Sequence, residues 1–140
     1  LKEKVLNCFV GAAVATGAEL KYKWAGVRYA AMRNNMTLAR LFRKNMLSLG
    51  HPIALGDNSK WSGSSDVGNV SLLAPAIQPM VGIKPKGVLI HTPQFAEAAA
   101  TREALDSLLD AGKAMAMTAA DLLADPKMLA SARAEFQKSK

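Results

Sequence analysis

The chain has 140 residues, 50% of them hydrophobic and 21% charged, which is enough for one domain with a core. Its formal charge is +7 and the excess is local: residues 1–46 hold nine Lys and Arg against two Glu, whereas residues 47–140 hold nine of each sign. The single Cys8 excludes an internal disulfide and a cysteine-based zinc cluster, and fits a reducing, cytoplasmic setting. No apolar run reaches the length of a membrane span and no signal peptide is expected.

In chain order, Lys2 to Thr16 places Val5, Phe9 and Ala12 or Ala13 at helical spacing, with Gly17 as a natural stop. Leu20, Tyr22 and Trp24 then alternate with Lys21 and Lys23, the pattern of a half-buried strand ending near Trp24. Asn34-Asn35 opens a second helix that closes before Gly50. Leu38, Leu41, Phe42, Asn45 and Leu49 share one face, and Arg40, Arg43 and Lys44 the other. His51 to Leu55 is expected to form a short strand, followed by a loop to Ser64.

The stretch from Gly63 to Phe95 holds the residues with chemical potential. It begins Gly63-Ser64-Ser65-Asp66-Val67-Gly68-Asn69-Val70-Ser71. Ser65 or Asp66 is suited to cap a short helix, whose free amides either face solvent in an ordinary surface turn or hold an anion. Val70 to Ile83 is apolar but punctuated by Pro75 and Pro79, which suggests edge or irregular strand. Val88-Leu89-Ile90 delivers His91-Thr92-Pro93-Gln94-Phe95. A lone histidine is either packed and hydrogen-bonded or a ligand whose partners lie elsewhere.

From Thr101 to Ala124 a stripe of Leu105, Leu108, Leu109, Gly112, Met115, Ala116, Ala119, Leu122 and Leu123 runs at helical period. Asp125-Pro126 breaks it, and Lys127 to Gln137 reads as a final helix. Helices alternating with short apolar segments predict a mixed α/β protein.

Four stretches together resemble the C-terminal part of the dizinc aminoacylase/carboxypeptidase-type amidohydrolases, in the branch of the peptidases and p-aminobenzoyl-glutamate hydrolases. They are Asn7-Cys8-Phe9 with Ala15 to Leu20; Tyr29 through Asn35 with its leucine-rich helix; Ser64 to Ser71; and His91 to Phe95. The resemblance covers nearly the whole chain, and its last two motifs are the specific ones. It implies an α/β fold: the C-terminal half of a mixed-sheet catalytic domain over residues 31–140, preceded in residues 1–30 by the last helix and strand of an inserted lid that dimerises. A hinge is expected near Arg33-Asn34-Asn35.

The resemblance further implies hydrolysis of an amide bond in N-acyl amino acids or small peptides, by water activated on two divalent metal ions. Zinc is the first expectation, with manganese or cobalt as alternatives. His91 matches the late metal-ligating histidine, and Ser64, Ser65, Asp66 and Asn69 match a substrate-binding wall of the cleft. Gln94 and Ile90 depart from the commoner residues of the motif. The His-x-Asp ligand motif and the Glu-Glu pair of the family are both missing from this chain. It is therefore expected to be inactive alone and to be a homo-oligomer in complete form, with no membrane or nucleic-acid partner. The contrasting reading is a non-catalytic module whose basic first third engages nucleic acid or an acidic protein surface.

Overall fold

The computed structural model describes residues 1–55, 65–83 and 87–139. Six helices are present among them: α1 Lys2–Thr16, α2 Met36–Ser48, α3 Val67–Ser71, α4 Pro93–Ala99, α5 Arg102–Ala124 and α6 Pro126–Lys138. The expected mixed sheet is absent from the described residues. The one β-type pairing there is an isolated parallel bridge between Asn34 and Ala76.

The reason for this correction lies in what a strand requires. An alternating segment becomes a strand only when a neighbour satisfies its amides and carbonyls. Among the described residues Leu20 to Trp24 meets no such neighbour, and both sides of the segment are open, with Tyr22 58% and Trp24 43% exposed. It lies back along α1 instead, where Leu20 and Tyr22 border a hollow with Val10, Ala13 and Val14. Lys2 Nζ stands 4.6 Å from the centre of the Trp24 ring, and Tyr22 meets Trp24 edge to face at 6.1 Å. His51 to Leu55 and Val88 to Ile90 are likewise irregular.

The helix ends follow local chemistry. Gly17 takes φ 71°, where a side chain would be strained, and its amide returns to the Ala13 carbonyl. Asn35 caps α2 by accepting from the Leu38 amide at 3.1 Å. Thr101 does the same for α5 with Ala104, and Asp125 both ends α5 and caps α6 through the Lys127 amide, with Pro126 at the first helical position.

The core is built where α2 packs on α5 and α6. Phe42, Met46 and Ala114 are buried at its centre, with Leu49, Ile53, Ile77 and Val81 against them. Full burial of a side chain such as Met46 contributes about 1.5–3 kcal/mol. Asn45, buried in the same interface, donates to Thr118 Oγ1 and to Asp121 Oδ2, both at 3.1 Å, so its amide is satisfied across the helix pair. The buried residues of α5 are Ala104, Ala114 and Thr118, not the leucine stripe. Leu105, Leu108, Leu109, Met115 and Leu123 are all exposed. Small residues let the two helix axes approach, and the larger ones point away from the core. No helix among the described residues is long and apolar enough to cross a membrane.

Candidate functional site

The Ser65 to Ser71 motif begins in a turn and enters α3. Ser65 Oγ accepts from the Val67 amide at 3.2 Å, and Asp66 occupies the N-cap position without a side-chain cap of its own. The amides of Asn69 and Val70 return to the Asp66 carbonyl. Asp66 is exposed, whereas Ser65 and Asn69 are half-buried. Ser64 lies outside the described residues.

Asn69 reaches over to the segment ahead of α2. Its Nδ2 donates to the Arg28 carbonyl at 2.8 Å, and its Oδ1 accepts from the Ala30 amide at 2.9 Å. One side-chain amide thus pairs with the two backbone groups flanking Tyr29 as a strand neighbour would. Gly68 sits beneath the same segment, so close that a Cβ built there would stand 1.9 Å from the Ala30 carbonyl oxygen. Ser71, fully buried, accepts from the Arg33 amide at 3.0 Å and donates to the Gly68 carbonyl at 2.6 Å. The motif therefore spends Gly68, Asn69 and Ser71 on gripping residues 28–33. Sequence reading assigned Asn69 to a ligand and did not foresee this use, because the partners lie about forty positions upstream and are backbone atoms.

His91 is exposed and has φ 64°, the sole non-glycine residue in the left-handed region among the described residues. Such a conformation is uncommon for a side-chain-bearing residue and draws attention to the position. It turns the chain into α4. Thr92 then caps the helix, accepting from the Phe95 amide at 3.2 Å while its hydroxyl donates to the Leu89 carbonyl at 2.7 Å, and Pro93 takes the first position. Among the described residues, no hydrogen bond or ion pair joins His91 to the Ser65 turn. No group of three His, Cys, Asp or Glu there is arranged to hold a metal ion. The described residues do not by themselves fit a two-metal centre.

The second histidine has a partner that its sequence context did not announce. His51 Nε2 lies 2.8 Å from Asp110 Oδ2, and Lys113 Nζ donates to the other oxygen at 2.7 Å. Asp110 stays below the ordinary carboxylate range because Lys113, and then His51, hydrogen-bond its ionised form. The pair ties the chain leaving α2 to the middle of α5.

Several cations of the first third are engaged locally. Arg33 Nη1 donates to the Ser139 carbonyl and Arg43 Nε to that of Ile53, both at 2.9 Å; Lys21 pairs with Glu19, and Lys2 covers Trp24.

With this geometry in place, comparison with known proteins adds the following. The chain matches no protein-family profile. It is similar to the Xaa-Arg dipeptidase of Homo sapiens, with 35% identity over 139 residues, which is 98% of this chain and 32% of that protein. It is also similar to the Xaa-Arg dipeptidase of Mus musculus, with 36% identity over the same length and coverage. The chain thus spans about a third of the length of the curated relatives it matches.

Proposed function

We propose that this chain is the C-terminal part of a dipeptidase-like amidohydrolase, a peptidase that cleaves the amide bond of dipeptides or related N-acyl amino acids. The observation that carries the reading is an alignment of 139 residues, nearly the whole chain, with proteins named Xaa-Arg dipeptidase. It agrees with the resemblance seen independently in the Ser64 to Ser71 and His91 to Phe95 motifs. The relatives' name points to dipeptides ending in arginine, whose guanidinium calls for a carboxylate; Asp66, exposed at the α3 turn, is the residue of this chain proposed to meet it.

Residues 1–30 are proposed as the end of a lid and dimerisation domain, and residues 31–140 as the C-terminal half of the catalytic domain. Activation of water in the complete enzyme would come from two divalent ions, zinc or alternatively manganese or cobalt, held mostly by residues outside this chain. This chain contributes His91 as a single ligand and Ser64, Ser65, Asp66 and Asn69 to the wall of the cleft. With no general base and no second ligand motif, 140 residues alone are inactive. The contrasting reading, a basic binding module, would show itself by saturable nucleic-acid binding that falls steeply with salt.

The deciding experiment measures the intact mass of the natural polypeptide and then assays it on Xaa-Arg dipeptides. A mass well above 14.9 kDa with hydrolysis that His91→Ala abolishes supports the proposal. A longer polypeptide that leaves such dipeptides and N-acyl amino acids intact overturns it.

A further inference from the structure

Arg33 and Arg43 donate to backbone carbonyls, and Arg102 pairs with Asp106. Arg28 differs from them. Its carbonyl is held by Asn69, yet its guanidinium has no hydrogen bond or ion pair among the described residues. The backbone from which the side chain extends is thus fixed while its five donors are left open. Arg28 borders a hollow of about 400 Å³ that Lys2 and Val5 of α1 form with Trp24, Ala25 and Val27.

The lining of this hollow is largely apolar, and it is wet. Val5 is 40%, Trp24 43% and Val27 74% exposed. Lys2 Nζ takes one face of the Trp24 ring, and Tyr22 meets the same ring edge to face. What remains, chiefly Val5, Ala25 and Val27, suits a flexible hydrocarbon chain more than a planar ring.

Charge decides the other end of the ligand. Lys2 and Arg28 both border the hollow, and no described Asp or Glu does. An ammonium resting on a ring face keeps donors for a second partner, and a guanidinium matches a carboxylate with two parallel bonds. Apolar walls with a few polar anchors are the usual make-up of a small-molecule pocket, and the volume is in keeping with one. A polyanion such as nucleic acid would draw on the cations alone and gain nothing from the apolar lining.

We propose that the hollow between α1 and residues 24–28 binds a small carboxylate carrying an aliphatic chain. Arg28 and Lys2 hold the carboxylate, and Val5, Trp24 and Val27 cover the chain. The inference does not rest on the dipeptidase reading, in which none of these five residues takes part.

The test uses the 140-residue chain in a Trp61→Phe background, which leaves Trp24 as the sole tryptophan. Titration with decanoate is expected to change Trp24 fluorescence saturably at millimolar concentration or below. Decanol keeps only the chain and acetate only the charge, and each is expected to bind at least about tenfold more weakly. Arg28→Gln is expected to weaken decanoate binding about tenfold while changing decanol binding less than about twofold. No saturable change with decanoate would overturn the proposal, as would equal affinity for decanoate and either control, or an Arg28→Gln variant that binds decanoate as the parent does. A second measurement on the parent chain holds whether or not that variant folds. Decanoate-induced amide chemical-shift changes confined to residues 1–5 and 24–28 support the site, and changes centred on the exposed leucines of α5 refute it.

Discussion

Glu135 closes the N-terminus of α2 from the opposite end of the chain. Its carboxylate accepts from the Met36 amide at 2.6 Å, from the Thr37 amide at 2.9 Å and from the Thr37 hydroxyl at 2.6 Å. With the Asn35 cap, the first turn of α2 has its orphan amides satisfied by one local and one distant side chain. Removing the distant one in Glu135→Ala is expected to destabilise the chain by about 1–2 kcal/mol, from the loss of charge-assisted bonds at a half-buried helix start. Urea unfolding monitored by circular dichroism measures this, and an unchanged midpoint would show that water replaces the carboxylate without loss.

The same residue sets an acid limb. Burial works against ionisation of Glu135, but the bonds from Thr37 and Met36, aided by Arg40, outweigh it and hold its pKa below the ordinary 4.5. Its stabilising effect is therefore fully present above that value and is lost as pH falls through the lower folded one. Asp110 acts in the same direction below 3.8. In Glu135→Gln the fall in stability on acidification below 4.5 is expected to be shallower than in the parent, and parallel curves would assign the acid limb to other carboxylates.

Gly68 tolerates no side chain, since a Cβ would fall 1.9 Å from the Ala30 oxygen, a backbone atom that cannot swing aside. Gly68→Ala is expected to cost about 3 kcal/mol or to detach residues 28–33 from α3. Gly112→Ala, whose Cβ meets nothing within 4 Å, is expected to be neutral or stabilising by up to about 1 kcal/mol in its helix. Thermal melts of the two variants make a matched comparison, and similar melting temperatures would mean that α3 shifts freely.

At His91 stability and activity should part. Glycine relieves the left-handed backbone at φ 64° but adds freedom to the unfolded chain, so His91→Gly should change stability by less than about 1 kcal/mol. If His91 is the ligand proposed for the complete enzyme, the same change abolishes dipeptide hydrolysis there. Retained hydrolysis would remove His91 from the site.

The sequence was most readable where one residue decides a local event. Gly17, Asn35, Thr101 and the Asp125-Pro126 break mark helix ends because left-handed backbone, amide capping and a missing N–H act within a few positions. The α2 face of Leu41, Phe42 and Asn45 was equally legible from its period. Partnership was not. Leu20, Tyr22 and Trp24 alternate as a strand does, yet alternation says nothing about whether another strand lies alongside. The leucine stripe of α5 marked the helix by its period but not its buried residues, which are Ala104, Ala114 and Thr118. At the candidate site, the helix that starts at Thr92-Pro93 went unread, and the unusual backbone of His91 left no mark in residue type.

The grip of Asn69 and Ser71 falls on the backbone of residues 28, 30 and 33 and never on their side chains. Selection acting through this contact would therefore be lopsided. Among related chains that keep the clasp, positions 68, 69 and 71 should be tied to glycine, an amide and a hydroxyl. Position 28 should drift without regard to them, and position 30 should be limited only by what its own neighbours allow. The hold on residues 28–33 would then be written in residues some forty positions away, and changes within that segment would be a poor guide to whether it is still held.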